Sequence, residues 1–214
     1  MTRPYTEQDL FGIFYSDLVW RMKELSDLKS AIRAADSVSS HVLSRALIVM
    51  GYAHWEGYVR TCARRYFEHL TLRRKTFLDY ERQIYINRFL GRLDALYQSR
   101  SSIQDRCALI NDILDGKVLR FTCIDQDLID TKSNLNVGAI KDICIICGVE
   151  SKLFEDNKTF IDLLLLKRRN AIAHGEQEFI PAVDIDDFVE KVLFIMRAFR
   201  DLLENKVCMK AYAA

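Results

Sequence analysis

Eight glycines and two prolines in 214 residues constrain this chain more than any motif it carries. Average usage gives about 12% for the pair, more than twice the share present here. Hairpins and tight turns draw on these residues for backbone angles that other side chains resist. Turns are therefore scarce: an all-β sandwich, a collagenous chain and a disordered tail are excluded, and a helix-rich globule is expected. A chain of this length suits one larger domain and can bury roughly 70% of its unfolded surface. The 31 basic and 30 acidic side chains leave a net charge of +1, so a nucleic-acid partner has to be met by a local patch.

The first ten residues carry Arg3, Glu7 and Asp9 with no apolar run behind them, so no secretory signal is expected. The longest apolar stretches, 46–53 and 163–166, fall far short of the roughly 20 residues that span a bilayer. A soluble, cytoplasmic protein without membrane contact is the expectation. Cys62, Cys107, Cys123, Cys144, Cys147 and Cys208 lack the dense spacing of a secreted disulfide scaffold and read as reduced, mostly buried thiols. Cys144 and Cys147 form a Cys-x-x-Cys, but no second pair or His lies at zinc-site spacing, and Ile143, Ile145 and Ile146 around them favour core packing.

Apolar residues at Leu10, Phe14, Leu18, Leu25 and Leu28 share one helical stripe and predict a first helix. Asp36 or Ser37 then caps a longer helix over 39–70, whose apolar side includes Leu47, Trp55, Tyr58, Val59, Cys62 and Phe67. Gly51 and Gly57 inside it are expected to let another backbone or a substrate come close. Further helices are expected over 77–96, through Ile84, Phe89 and Leu93, and over 103–114, ending at Gly116. Residues 118–130 suit a short strand or an irregular loop equally. Ser133 or Asn134 caps a helix to Cys147 and Gly148, and two strong helices follow over 158–173 and 184–206, joined by the loop from Gly175 to Val183 past Pro181. The expectation is an all-α, single-domain bundle of about seven helices covering 1–214.

With four histidines in the chain, the segment Lys167-Arg168-Arg169-Asn170-Ala171-Ile172-Ala173-His174-Gly175-Glu176 stands out. It ends a helix whose earlier turns, 160–166, are almost entirely apolar, and it concentrates three cations, an amide and an imidazole where the core stops. At about 100° per residue Asn170 and His174 share a face, so the amide can orient the imidazole, and Arg169 reaches the same cleft. Imidazole suits proton transfer near neutral pH and guanidinium matches phosphate oxygens, a pairing suited to metal-independent phosphodiester chemistry. Spacing alone equally fits a helix C-terminus in which cations complement the dipole and Gly175 supplies a left-handed cap. Arg64 to His69 repeats the Arg-x4-His spacing inside the second helix, flanked by Tyr66 and Phe67 with no Gly after it, and reads as a solvated face.

The strings Ile161-Asp162-Leu163-Leu164 and Arg169-Asn170-Ala171-Ile172-Ala173-His174-Gly175-Glu176 resemble the signature of the HEPN superfamily, an Arg-x4-6-His motif with a polar residue after the Arg. His54-Trp55-Glu56-Gly57-Tyr58-Val59-Arg60 and Ser133-Asn134-Leu135-Asn136 are similar to landmarks of its MAE-type and RiboL-PSP-associated branches. The resemblance implies an all-helical domain that dimerises through its motif helices, so that two motifs face one composite cleft. It implies a metal-independent endoribonuclease, with His174 as general acid/base, Arg169 stabilising phosphorane charge and Asn170 holding His174; Lys167 and Arg168, the cations just before the motif, are candidate RNA-binding residues. Glu56 and Glu176 are candidate supporting residues, and no metal or cofactor is expected. The implied setting is a toxin or antiviral effector of a prokaryotic conflict system, with an antitoxin or regulatory partner protein. The alternative is a non-catalytic module of the same fold that binds a nucleotide or a partner. Some HEPN toxins carry a Tyr two residues after the His that a partner modifies; here that position is Glu176.

Arg60, Arg64, Arg65, Arg73, Arg74 and Lys75 form a basic stripe, and Glu176, Glu178, Asp184, Asp186, Asp187 and Glu190 an acidic cluster. The two patches can meet within the fold, across a dimer, or not at all. His41 and His54 read as surface or packing residues.

Overall fold

Thr6 starts the first helix by exchanging hydrogen bonds with Asp9: its hydroxyl accepts the Asp9 N–H at 3.0 Å and the Asp9 carboxylate accepts the Thr6 N–H at 2.9 Å. The resulting α1, Glu7–Ala34, buries Leu10, Phe14, Leu18 and Leu25 along one stripe. Asp36 then caps α2, Ser37–Leu72, by accepting the N–H groups of Val38 and Ser39, each at 2.9 Å. The computed structural model describes residues 3–98, 102–129, 131, 134–177 and 184–214; Asp130, Ser133, Glu178, Pro181 and Val183 lie outside them.

Helix α2 is the axis of the fold. At about 1.5 Å per residue its 36 residues outrun every neighbour, and its burial is continuous from Leu47 through Trp55, Tyr58 and Tyr66 to Leu70. Against it lie α1 and the last helix, α8, Ile185–Cys208, whose Phe188, Val192, Ile195, Met196, Phe199 and Leu203 form the facing stripe. A Cβ on Gly51 would sit 2.8 Å from the Phe188 ring, and one on Gly57 would sit 2.9 Å from the Arg21 guanidinium. The two glycines thus admit side chains from α8 and α1, not the backbone or substrate that the sequence suggested.

The middle of the chain supplies α3, Arg82–Gln98, α4, Ile103–Asp115, α5, Val137–Cys147, and the single turn α6, Lys152–Asp156. The helix expected over 77–96 is broken at its start. Phe77–Asp79 forms one 3-10 turn, after which Tyr80 is extended, bridges Ala213 and donates its hydroxyl to the Leu70 carbonyl at 2.7 Å. Leu93, expected in the core, is exposed. Residues 118–129 form no strand: an isolated bridge joins Thr76 and Arg120, Phe121 packs between Phe67, Phe77 and Tyr80, and Gln126–Ile129 is a 3-10 turn. Asn136, two residues past Asn134, caps α5 through the Ala139 N–H at 2.8 Å, and Gly148 ends it at φ +65°. The expected helix over 158–173 is present as one rod, but Thr159–Lys167 is wound in π-helical turns before α7, Arg168–Ala173. Among the described residues the fold is all-α: eight α-helices, against about seven expected, and no strand.

The six cysteines are free. Cys62, Cys144 and Cys147 are buried whereas Cys107, Cys123 and Cys208 are exposed, which corrects the expectation of mostly buried thiols. Burial pushes the Cys144 thiol up to about 12 and Cys147 well above the usual range, as core packing of the Cys-x-x-Cys requires. No helix among the described residues is long and apolar enough to cross a membrane.

Candidate functional site

The motif helix stops abruptly. Gly175 adopts φ +82°, its N–H donates to the Ile172 carbonyl at 3.1 Å, and the Glu176 N–H donates to the Ala171 carbonyl at 2.9 Å. This is a Schellman closure, in which a left-handed residue turns the chain back and satisfies the last carbonyls. It places His174 at the cap with its imidazole exposed, directly after a helix whose other end is core. The cap and the chemistry proposed for this segment therefore do not compete, because the same glycine that ends the helix presents the histidine.

Around His174 the motif side chains are graded in exposure. Lys167 and Glu176 are exposed, while Arg168, Arg169 and Asn170 are half-buried. Asn170 meets His174 through the backbone, its carbonyl accepting the His174 N–H at 2.9 Å. Among the described residues its carboxamide makes no hydrogen bond to the imidazole, so the face shared by Asn170 and His174 does not itself orient the ring.

Arg169 points back onto α2. Its guanidinium carbon lies 3.9 Å from the centre of the Tyr52 ring, inside the range of a cation–π contact. Tyr52 is buried, and its hydroxyl accepts the Leu135 N–H at 2.7 Å. Burial raises the Tyr52 pKa, with the Leu135 bond opposing and the nearby Glu56 carboxylate adding to the rise. Glu56, itself buried, is paired with Arg60 at 2.5 Å and accepts a short hydrogen bond from the Thr131 hydroxyl, which in turn accepts from Arg60 at 2.9 Å. Glu56 thus lies one turn from Tyr52 along α2, beside the ring that meets Arg169.

The landmark strings converge here. Leu135, from the stretch ahead of α5, reaches Tyr52, and Asp162, from the π-helical segment, accepts the Val137 N–H at the start of α5 at 2.8 Å. Tyr52 is the residue that sequence reasoning missed. The available signal was spacing: Tyr52, Glu56 and Arg60 stand four apart on one face of α2.

Two of the remaining histidines are buried and held by side chains or carbonyls. His54 is buried, with Nε2 2.9 Å from the Glu24 carboxylate and Arg21 beside Nδ1 at 3.4 Å. Both partners come from α1, which is why no partner was visible within its own helix. His69, read as part of a solvated face, is fully buried. Its Nδ1 donates to the Pro4 carbonyl at 2.8 Å and its Nε2 accepts from Arg73 at 2.9 Å, the only roles left to the ring because guanidinium cannot accept. Only Arg64 of that pair is exposed, and His41 is half-buried.

The acidic and basic patches do not pair with each other among the described residues. Asp186 meets Lys29 at 3.1 Å and Arg33 at 2.5 Å on α1, Asp187 meets Lys191, and Arg65 meets Glu68. Among the described residues, clefts of 320 to 660 Å³ open elsewhere on the surface and are lined by residues other than Arg169 and His174.

A family model described as RiboL-PSP-HEPN matches residues 16–205, a span that contains each of the landmark strings. No curated protein and no solved structure matches the chain.

Proposed function

The chain belongs to the RiboL-PSP-HEPN family of the HEPN superfamily, and from that membership we propose that it is a metal-independent endoribonuclease working as one domain over 1–214. The observation that carries the reading is the end of α7, where an exposed imidazole and a stacked guanidinium stand within one and a half turns of each other.

In this reading His174 accepts the proton of a ribose 2′-hydroxyl, whose oxygen attacks the adjacent phosphorus. A histidine then returns a proton to the departing 5′-oxygen. The P–O5′ bond breaks, leaving a 2′,3′-cyclic phosphate and a 5′-hydroxyl, with no redox change and no external group consumed. Arg169 offers a planar fork of N–H donors to the equatorial oxygens as charge builds on the phosphorane. Lys167 and Arg168 hold flanking phosphates, and Asn170 supplies a carboxamide between the two catalytic groups that orients the imidazole once RNA is bound. Glu56 acts at one remove, and Glu176 closes the cap behind His174.

The exposure of His174 on a single chain supports a site completed by a second copy, with two motif helices facing one strand of RNA. Such a dimer supplies one histidine as base and the other as acid. The setting that fits is a toxin or antiviral effector of a prokaryotic conflict system, held in check by an antitoxin or regulatory partner.

The test is a matched pair of oligonucleotides incubated with the purified full chain in EDTA, one all-RNA and one carrying 2′-deoxyribose at the cleaved position. Cleavage of the first alone supports the mechanism. Cleavage of both removes it in favour of a nuclease that does not use the 2′-hydroxyl, and cleavage of neither leaves a module of the same fold that binds a nucleotide or a partner.

A further inference from the structure

We propose that Tyr52 is the positioning residue for Arg169, holding its guanidinium in the plane that phosphate recognition requires; the inference rests on the ribonuclease reading above. An arginine that binds a phosphorane must present a rigid fork, yet its side chain is long and loses rotamer entropy when it is held still. Arg169 lies in α7, a helix of six residues, at the rim of the core. A fixed neighbour there is the Tyr52 ring, 3.9 Å from the guanidinium carbon. Stacking engages the face of a guanidinium, whereas phosphate uses its N–H edge, so the two contacts do not compete.

The platform is itself anchored. Tyr52 lies within the longest helix of the fold and is 3% exposed, and its hydroxyl is held by the Leu135 N–H at 2.7 Å. One turn on along the same helix, Glu56 is pinned by Arg60 and Thr131. A bonded hydroxyl is ordinary for a buried tyrosine, as at Tyr80; what sets Tyr52 apart is the motif cation on its face. Here the bond comes from the segment leading into α5 and the cation from the motif, so Tyr52 ties the motif arginine to parts of the chain far from it in sequence.

The experiment compares the full chain with Tyr52→Phe, which keeps the ring, and Tyr52→Leu, which keeps apolar bulk without it, each with Arg169 intact or replaced by Ala. Tyr52→Leu is expected to lower kcat by about tenfold with KM little changed. Tyr52→Phe should restore most of that loss. In the Arg169→Ala background Tyr52→Leu should cost nothing further, because a residue acting through another has no effect once that other is gone. An equal further loss there overturns the proposal and makes Tyr52 a packing residue.

A second readout is independent of turnover: the Arg169 side-chain NMR resonances should be displaced by the ring in wild type and Tyr52→Phe and return to ordinary positions in Tyr52→Leu. Undisplaced resonances in wild type overturn the stack itself. If the displacement is present but no variant cleaves RNA, the ribonuclease reading fails and the positioning role with it, while the stack stands as a structural contact. Should Tyr52→Leu not fold, Arg169→Lys poses the same question from the other side. An ammonium cannot stack as a plane, and a lysine variant as active as wild type overturns the proposal.

Discussion

His54 Nε2 lies 2.9 Å from the Glu24 carboxylate, joining α1 to α2 at an imidazole that is 3% exposed. Around the same ring Arg21 bonds the His54 carbonyl and Asp17, and stacks on Trp20 at 4.5 Å. Burial holds the His54 pKa below the usual imidazole value, Arg21 adds to the depression, and Glu24 and Asp17 oppose it.

A histidine with a lowered folded pKa costs stability as pH falls. Above the unfolded value of about 6.5 both states are neutral and nothing is lost. Between that value and the folded one the unfolded chain binds a proton that the native ring refuses, so stability drops until the folded pKa is passed. His69, lowered by its own burial, adds to the same window. The denaturation midpoint should therefore fall as pH is taken from 7 to 5, and His54→Gln should flatten the slope. The carboxylates of Asp9 and Asp36, lowered by their capping hydrogen bonds, lose their contributions only at more acid pH. A midpoint flat from pH 7 to 5 in wild type contradicts this account.

Gly51→Ala tests the packing of α8 on α2. Alanine gains about 1 kcal/mol of helix propensity over glycine, but its methyl would sit 2.8 Å from a buried phenylalanine ring. Overpacking of that kind costs about 1–3 kcal/mol, so a net loss of about 1 kcal/mol is expected, read as a lower melting temperature. A Gly51→Ala variant more stable than wild type means the helices separate more easily than they are drawn.

Thiol accessibility should split the cysteines evenly. Cys107, Cys123 and Cys208 are exposed and should react promptly with a thiol reagent in the native protein. Cys62, Cys144 and Cys147 are buried, and burial pushes their thiols up, so they should react only in denaturant. Mass spectrometry of the labelled native chain should find three modifications; rapid labelling of Cys144 or Cys147 contradicts the buried assignment.

What the sequence made legible was what local spacing encodes. The stripe of Leu10, Phe14, Leu18 and Leu25 is buried as its period demands, and Asp36 caps α2. The break at Tyr80 was not legible, because its cause is a bridge to Ala213 at the far end of the chain. The π-helical turns of Thr159–Lys167 were hidden for another reason: a run that is apolar on every side has no period to shift. At the site, the order Arg169, Asn170, His174 and Gly175 was readable, since cap and motif share one short segment. The Tyr52 contact was not, because its two partners lie on different helices and no pattern within one helix reports contacts between two.

The burial of His69 also changes which variants make sound controls. His69→Ala leaves the carbonyl of buried Pro4 without its hydrogen-bond donor and is expected to destabilise the fold by about 1–3 kcal/mol. Arg64 is exposed, so Arg64→Ala is the clean counterpart. On expression in a bacterial host, Arg64→Ala should be as toxic as wild type and His174→Ala harmless, at equal protein levels. Equal toxicity of wild type and His174→Ala contradicts the assignment.

In the reading above His174 moves the proton in a metal-independent cleavage of RNA. Purified wild type and His174→Ala are incubated in EDTA with one structured RNA and compared by the chemistry of the fragment ends. Wild type should give fragments with 2′,3′-cyclic phosphate and 5′-hydroxyl ends, with the variant slower by about 10²–10⁴-fold. Equal cleavage by both proteins, or 3′-hydroxyl and 5′-phosphate ends from wild type, contradicts it.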